Sequence, residues 1–526
     1  MAGLVAAATL AAAGRQVRVF EAGGTVGGLV QSFTREGFCF DAGPRAIGNA
    51  GIVLPMLRRL GIELPIVKSA VSIGMGSTIV HFDEDGALEA WLSALETAFP
   101  DSRIAIARIE RRIRTYSRMM ATLNRMDNPV FHPPLESLRY LFTRFIPWLP
   151  SFLGILVQTA LGRRSIEAEL ARISAKRALN DMVSQHFFKG TPREFALGYF
   201  HNYTDYLYPR GGTGQLPQAL YAYAREHGAL FDFNTAVTAI DPASHMVRDL
   251  NGTETRYRAL IWAADLKSLY AQCSLEGLPT ARRRVAGRRA AQLTASHSAE
   301  SVYSLFVASS LPPSYFARIS RGHFIHTPCL EGLGDIHRGA LERLKAHFDR
   351  VSQEEFFDWL AAFTRRNSFE IAIPALRDAS LAPDGKTGLV ISVLFDGALC
   401  RLVEERGWYG EFKKRMNRLI IEALESSVYP GLAASVLFAD SASPATLARR
   451  FGTADGSIVG WSLEETLPAA SQLAQVFSAV RTPLPAVFQA GQWTYSPAGV
   501  PIAVLTGAIA ARAAGRVARR GPTRAL

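Results

Sequence analysis

Hydrophobic positions recur along this chain with two different periods, and the change between them divides it. Residues 3–14 carry small apolar side chains and read as a helix; after a glycine, residues 16–20 (QVRVF) form a short β-rich run that ends at Glu21. Residues 38–43 (FCFDAG) read as another strand and turn. From Asp83 to about Asp205 the apolar positions fall three and four apart, as in LEAWLSALETAF and IAIARIERRIRTYSRMM, which predicts long amphipathic helices. Strand signals return at 230–234, 236–240 and 259–263 (ALIWA), and 486–516 closes the chain with α/β character. Helix and strand in this alternation predict an α/β fold, and 526 residues predict two cores.

The longest uncharged apolar stretch is 145–162 (FIPWLPSFLGILVQTALG), bracketed by Arg139, Arg144, Arg163 and Arg164. It is short for a membrane span, and Pro147 and Pro150 are expected to shorten its helix to about 12 residues. With Trp148 and the flanking arginines it predicts a segment that lies in a membrane interface; a buried helix is the alternative.

Composition agrees with an apolar partner. Hydrophobic residues make up 48% of the chain and charged residues 20%. The net charge of +12 attracts anionic lipid and nucleic acid alike, but the arginine runs, such as Arg282 to Arg284, have no interleaved aromatic platform. A nucleic-acid partner is therefore not expected. Four scattered cysteines, with no CxxC pair, predict neither a disulfide framework nor a metal site.

The chemistry-bearing pattern lies near the start. A dinucleotide-binding unit runs strand, GxGxxG turn, helix, strand and then an acid that binds a ribose hydroxyl. If Gly3 is the third glycine of that turn, Glu21 follows it by eighteen residues, about where the acid belongs. On this reading the first strand and two glycines lie upstream of Met1, and a chain extended by about 10 residues is expected to hold the cofactor better. Gly27 and Gly28 would let the backbone approach a diphosphate, and Arg45 would add positive charge.

The segment EAGGTVGGLVQSFTREGFCFDAGP resembles the acid, paired-glycine and Asp-Gly sequence of flavin-dependent phytoene desaturases and their carotenoid isomerase and retinol saturase relatives. YPRGGTGQLPQAL at 208–220, ALIWAAD, LAPDGK, GTADGSIVG and AGQWTYSPAGVPIAVLTGAIAAR resemble further family segments in the family's order. Pro497 and Ala498 depart from its usual glycines, and Gln492 from its frequent acid. The resemblance implies a Rossmann-like FAD-binding domain lacking its first strand, formed by 1–85, 206–290 and 436–526. It also implies an inserted α+β substrate and membrane-associated domain formed by 86–205 and 291–435. The cofactor positions it implies are Gly3, Glu21, Ala22, Gly27, Gly28, Gly43, Arg45, Val237, Ala264, Gly491, Gly499, Val500 and Pro501.

FAD would carry the hydride, so no side-chain nucleophile is needed. Arg45, Asp205 and Tyr206 are the candidate catalytic residues, with His201 and Tyr208 as further candidates for moving a proton. The expected activity is desaturation or saturation of a carbon–carbon bond in an apolar isoprenoid, by a cytoplasmic enzyme attached peripherally to a membrane. A cis–trans isomerase, an amine or protoporphyrinogen oxidase, and a cofactor-poor membrane-bound relative are the alternatives.

Overall fold

The computed structural model describes residues 1–160 and 164–520. The helix Ala2–Ala12 is buried on nearly every side, which its run of alanines permits. It packs against helices Gln215–Glu226 and Val500–Arg520. At Gly507 of the latter a Cβ would collide with the Ala2 carbonyl, so glycine sets the close approach of these two helices.

Around Ala2–Ala12 stand two parallel strand pairs, Arg18–Phe20 with Leu230–Asp232 and Leu260–Trp262 with Val487–Gln489. They are separate two-stranded sheets. A three-stranded antiparallel sheet, Val237–Asp241, Met246–Asp249 and Glu254–Arg256, lies beside them, its Val237 and Ile240 packing with Phe20 and Trp262.

The largest sheet has seven strands. In spatial order they are Val436–Ala442, Ser301–Ser309, Thr387–Phe395, Phe369–Ala372, His323–Thr327, Val71–Met75 and Thr78–His81. Strand side chains alternate between faces. Leu305, Ile371 and Ile391 therefore meet the helices Gln353–Arg366 and Tyr409–Ser427 in one core, while Phe306, Ala372 and Val390 meet Phe38 and Phe40 on the other face. Residues 71–81 and 436–442 thus belong to this sheet, although the sequence reading grouped both with the cofactor-binding part. Their local strand pattern shows no partner, and pairing over hundreds of residues decides membership.

The expected helices occur between Ala87 and Asn202; Arg103–Asn124 buries Ile106, Ile109, Ile113 and Tyr116 at helical spacing. The apolar segment differs from expectation, because Ile146–Ala160 is helical straight through Pro150. That proline lies one turn in, where a single carbonyl loses its partner, and wider π-helical winding over Leu141–Phe145 precedes it. Gly162 and Arg163 lie outside the described residues. Among those described, one stretch, Val500–Ala518, is long and apolar enough to cross a membrane, and half of it is buried within the protein.

Candidate cofactor and substrate site

The crevice opens where the parallel strands end. Ala490 N–H donates to the Trp262 carbonyl at 2.9 Å, which sets the carboxyl ends of these two strands side by side. The first turn of Ala2–Ala12 abuts them: a Cβ on Gly3 would stand 3.3 Å from that of Ala263, and one on Gly491 would stand 3.6 Å from that of Ala2. Exposed Ala263 and Ala264 leave the crevice mouth free of bulk. A helix N-terminus at the carboxyl ends of parallel strands is a ready anion site. Glu21 follows the neighbouring strand, with its carboxylate accepting the Gly23 N–H at 2.8 Å. Gly27 has φ 109°, and a side chain there would strike the Val30 carbonyl. Gly28 faces open space.

A second helix N-terminus, Gly499 to Pro501, lies about two turns, or ~10 Å, from the Gly507 contact with Ala2. An extended dinucleotide has the length to touch both. The acid after the strand, the small residues and the two helix ends fit FAD.

Beyond this crevice a buried acid ties the cofactor side to the sheet. Asp41 Oδ1 accepts from Ser32 Oγ at 2.7 Å, Thr213 N–H at 2.8 Å and Thr213 Oγ1 at 2.9 Å, and its Oδ2 accepts from Tyr208 O–H at 2.7 Å. It thereby fixes the PRGGTG turn against the Phe38–Asp41 strand. Arg45 donates to the Asp41 and Gly43 carbonyls and to Ser304 and Ser392 of the seven-stranded sheet. Arg377 donates to the Arg45 carbonyl and stacks 3.8 Å from the Tyr208 ring.

Next to Arg45 on the same sheet face lies Glu370. It sits deep in the protein, yet its side chain is 47% exposed, so it lines an internal cavity. His323 Nε2 is 3.0 Å from its Oε1. Burial works against the charged carboxylate, but the His323 hydrogen bond and the neighbouring His323, Arg45 and His186 outweigh it and hold Glu370 below the usual carboxylate range. The Tyr206 ring stands 5.3 Å from that of His323, and Tyr206 hydroxyl donates to Tyr199. Burial, then the nearby Tyr199, raises the Tyr206 phenol well above its ordinary range. His186 pairs with the Tyr203 hydroxyl at 3.0 Å, and burial pushes it down to about 4.

The family model for flavin-containing amine oxidoreductases matches residues 1–303. The chain belongs to that family. It is an FAD-dependent oxidoreductase. It is also 23% identical to a chloroplastic prolycopene isomerase of Daucus carota over 483 residues, covering 86% of this chain and 69% of that protein. Among solved structures, an oxidoreductase from Methanosarcina mazei aligns with a TM-score of 0.59 and 14% identity over 98% of each chain. Wild-type putrescine oxidase bound to putrescine aligns with a TM-score of 0.59 and 15% identity, over 99% of this chain and 97% of that one. These likenesses show the fold.

Within this flavoenzyme, Gly3, Glu21, Ala264 and Gly491 meet in the crevice, with Ala22, Gly27 and Gly28 in the loop beyond Glu21. Val237 is near them, since Thr235 N–H donates to the Glu21 carbonyl at 2.9 Å. Gly43 and Arg45 lie farther on, toward the sheet. Gly499, Val500 and Pro501 form the second helix end.

The three proposed catalytic residues lie near one another but in different surroundings. Arg45 has four hydrogen bonds that hold a loop to the sheet, and Tyr206 is buried with its hydroxyl donating to Tyr199. Asp205 sits half-buried in the turn after Arg193–Asn202, where it makes no side-chain hydrogen bond to either, among the described residues. His201 is on that helix, where burial lowers its pKa. Sequence reasoning passed over Glu370, His323, Arg377 and the role of Asp41. The one signal for Glu370 was an acid inside the apolar strand FEIA.

Proposed function

We propose that this flavoenzyme desaturates or saturates carbon–carbon bonds of an apolar isoprenoid polyene, of carotenoid or retinoid type. The surroundings of Glu370 carry this reading: a carboxylate left 47% exposed deep in the protein, with the ring of Tyr206 beside its partner His323 and the Tyr199 hydroxyl next to that of Tyr206. Aromatic rings of this kind suit an apolar chain. The match to a prolycopene isomerase over most of the chain supports the same substrate class, and favours isomerisation as the second reading.

When bound, FAD supplies the hydride acceptor or donor. The chain's own part is to hold and to exclude. Glu21 would take the ribose hydroxyls, the Gly27–Gly28 backbone would pass the diphosphate, and Arg45 would fasten the cofactor-side loop to the substrate sheet. Tyr206 and Tyr199, kept as neutral phenols, close one wall against water.

We place the enzyme peripherally on a membrane, from the cytoplasmic side. Support comes from a stripe of outward-facing apolar residues, Leu135, Leu138, Phe142, Ile146 and Leu153, interspersed with Arg139 and Arg144. The substrate test is incubation of the FAD-loaded enzyme with a C40 polyene in phosphatidylcholine vesicles. A product differing by two hydrogens supports redox, an isomer of equal mass supports isomerisation, and unchanged polyene rejects both.

A further inference from the structure

We propose that Glu370 forms a cation subsite inside the substrate cavity and stabilises positive charge that develops on the bound carbon chain. This rests on the polyene reading above. The geometry is that of a carboxylate held in place and left open. Its Oε1 is anchored by His323 Nε2 at 3.0 Å, while Oε2 makes no hydrogen bond to the protein among the described residues. No lysine or arginine lies within 4.0 Å of it among those residues, so no direct ion pair with either cancels its charge. Arg45 is near enough to act on it electrostatically, but its hydrogen bonds go to two carbonyls and two serines.

A carboxylate set deep in the protein, with His323 as its one hydrogen-bond partner among the described residues, is costly to keep charged, because a charge away from bulk water destabilises the fold unless it is well paired. Retained there, it has a use when positive charge arrives. Hydride loss from a polyene carbon, with FAD as the acceptor that would take both bonding electrons, would leave a delocalised positive charge on the conjugated chain. A proton then leaves the next carbon for water, and its C–H electrons close the new double bond. Adding a proton to a polyene, the start of an acid-type isomerisation, creates the same charge. Glu370 therefore serves either direction as a fixed counter-charge that needs no reorganisation during the reaction. The Tyr206 ring, beside His323, presents a further electron-rich surface of the kind that favours a cation.

The test pairs a binding measurement with turnover. FAD-loaded enzyme is titrated with dodecyltrimethylammonium and with neutral dodecanol below their micelle and solubility limits, binding being read from flavin fluorescence. The parent should prefer the ammonium by tenfold or more. Glu370→Gln should bind both alike with unchanged flavin content, and Glu370→Asp, which keeps the charge, should retain most of the preference. With the C40 polyene, Glu370→Gln should lose kcat on the order of 100-fold with KM little changed.

Equal binding of the two probes by the parent, or a preference that survives in Glu370→Gln, overturns the subsite. So does parental turnover in Glu370→Gln, and so does loss of the preference in Glu370→Asp and Glu370→Gln alike, which would mark an effect of shape. If the parent leaves the polyene unchanged, the polyene reading falls, and the binding comparison alone decides the cation subsite.

Discussion

The cofactor crevice and the substrate cavity are built in different ways. Each of the crevice's working parts is local: an acid at a strand end, glycines in the next few residues, a helix start. Arg18–Phe20, Glu21 and Gly27 lie within ten residues of one another, and what each does follows from backbone geometry. The cavity has no such segment. Glu370, His323, Arg45, His186 and Tyr206 come from five separate stretches: strand register sets Glu370 near His323, Arg45 and His186 approach from loops, and Tyr206 comes from another sheet. His323 stands opposite Ala372, and Glu370 opposite Ser392, which in turn pairs with Ser304 on the next strand, under Arg45. A local site tolerates drift elsewhere in the chain, whereas a register-built site depends on the whole sheet.

Asp41 joins the two regions, and its loss should have the largest effect. Asp41→Ala strands the Thr213 N–H and the Ser32, Thr213 and Tyr208 hydroxyls in the interior. Several buried donors without a partner make a cost of about 4 kcal/mol reasonable. Thermal unfolding should show a midpoint lower by about 4 °C at this chain size, with flavin and substrate binding weakened together. If stability holds and only one function suffers, the two regions are not joined through this acid.

The middle effect isolates the crevice. Glu21→Ala should weaken FAD binding by about 2 to 3 kcal/mol, roughly 30- to 150-fold, through the loss of hydrogen bonds to a charged acceptor. The seven-stranded sheet shares no contact with Glu21, so far-ultraviolet circular dichroism should be unchanged. Flavin content is read from absorbance after gel filtration at limiting FAD. Stoichiometric retention by the variant would remove Glu21 from the cofactor site.

The same contrast explains which parts could be read from the sequence. The helices Ala2–Ala12 and Arg103–Asn124, the strand ending at Glu21 and the crevice residues were legible because periodicity and local turns encode them. Strand Val71–Met75 was legible as a strand but not as the partner of His323–Thr327, some 250 residues away. Arg45 was found by its type and given chemistry, whereas four hydrogen bonds make it a structural tie. Glu370 was missed because a lone acid in a short strand acquires meaning only from the cavity it faces. Asp41 stood inside a quoted motif, yet its partners Thr213 and Tyr208 lie some 170 residues on.

The smallest effect belongs to the outer apolar stripe, which is local in the manner of the crevice but has no partner within the protein. Leu138 is 69% exposed and Phe142 64%, one helical turn apart on the same side, and Leu135, Ile146 and Leu153 extend the line. Trp148 is anchored inward, its Nε1 donating to the Thr122 carbonyl at 2.8 Å, so the segment is fixed to the helical region while its apolar edge faces out. Burying two such side chains in a bilayer interface contributes about 1 to 2 kcal/mol after discounting what the protein already covers. Arg139 and Arg144 add attraction to anionic lipid that fades with salt. Replacing Leu138 and Phe142 by serine should therefore lower co-sedimentation with phosphatidylcholine–phosphatidylserine vesicles by about five- to thirtyfold, with flavin content and thermal midpoint unchanged because neither side chain is in a core. Undiminished co-sedimentation would detach the stripe from the membrane, and a drop in thermal midpoint would show that these side chains support the fold, as the cavity residues do.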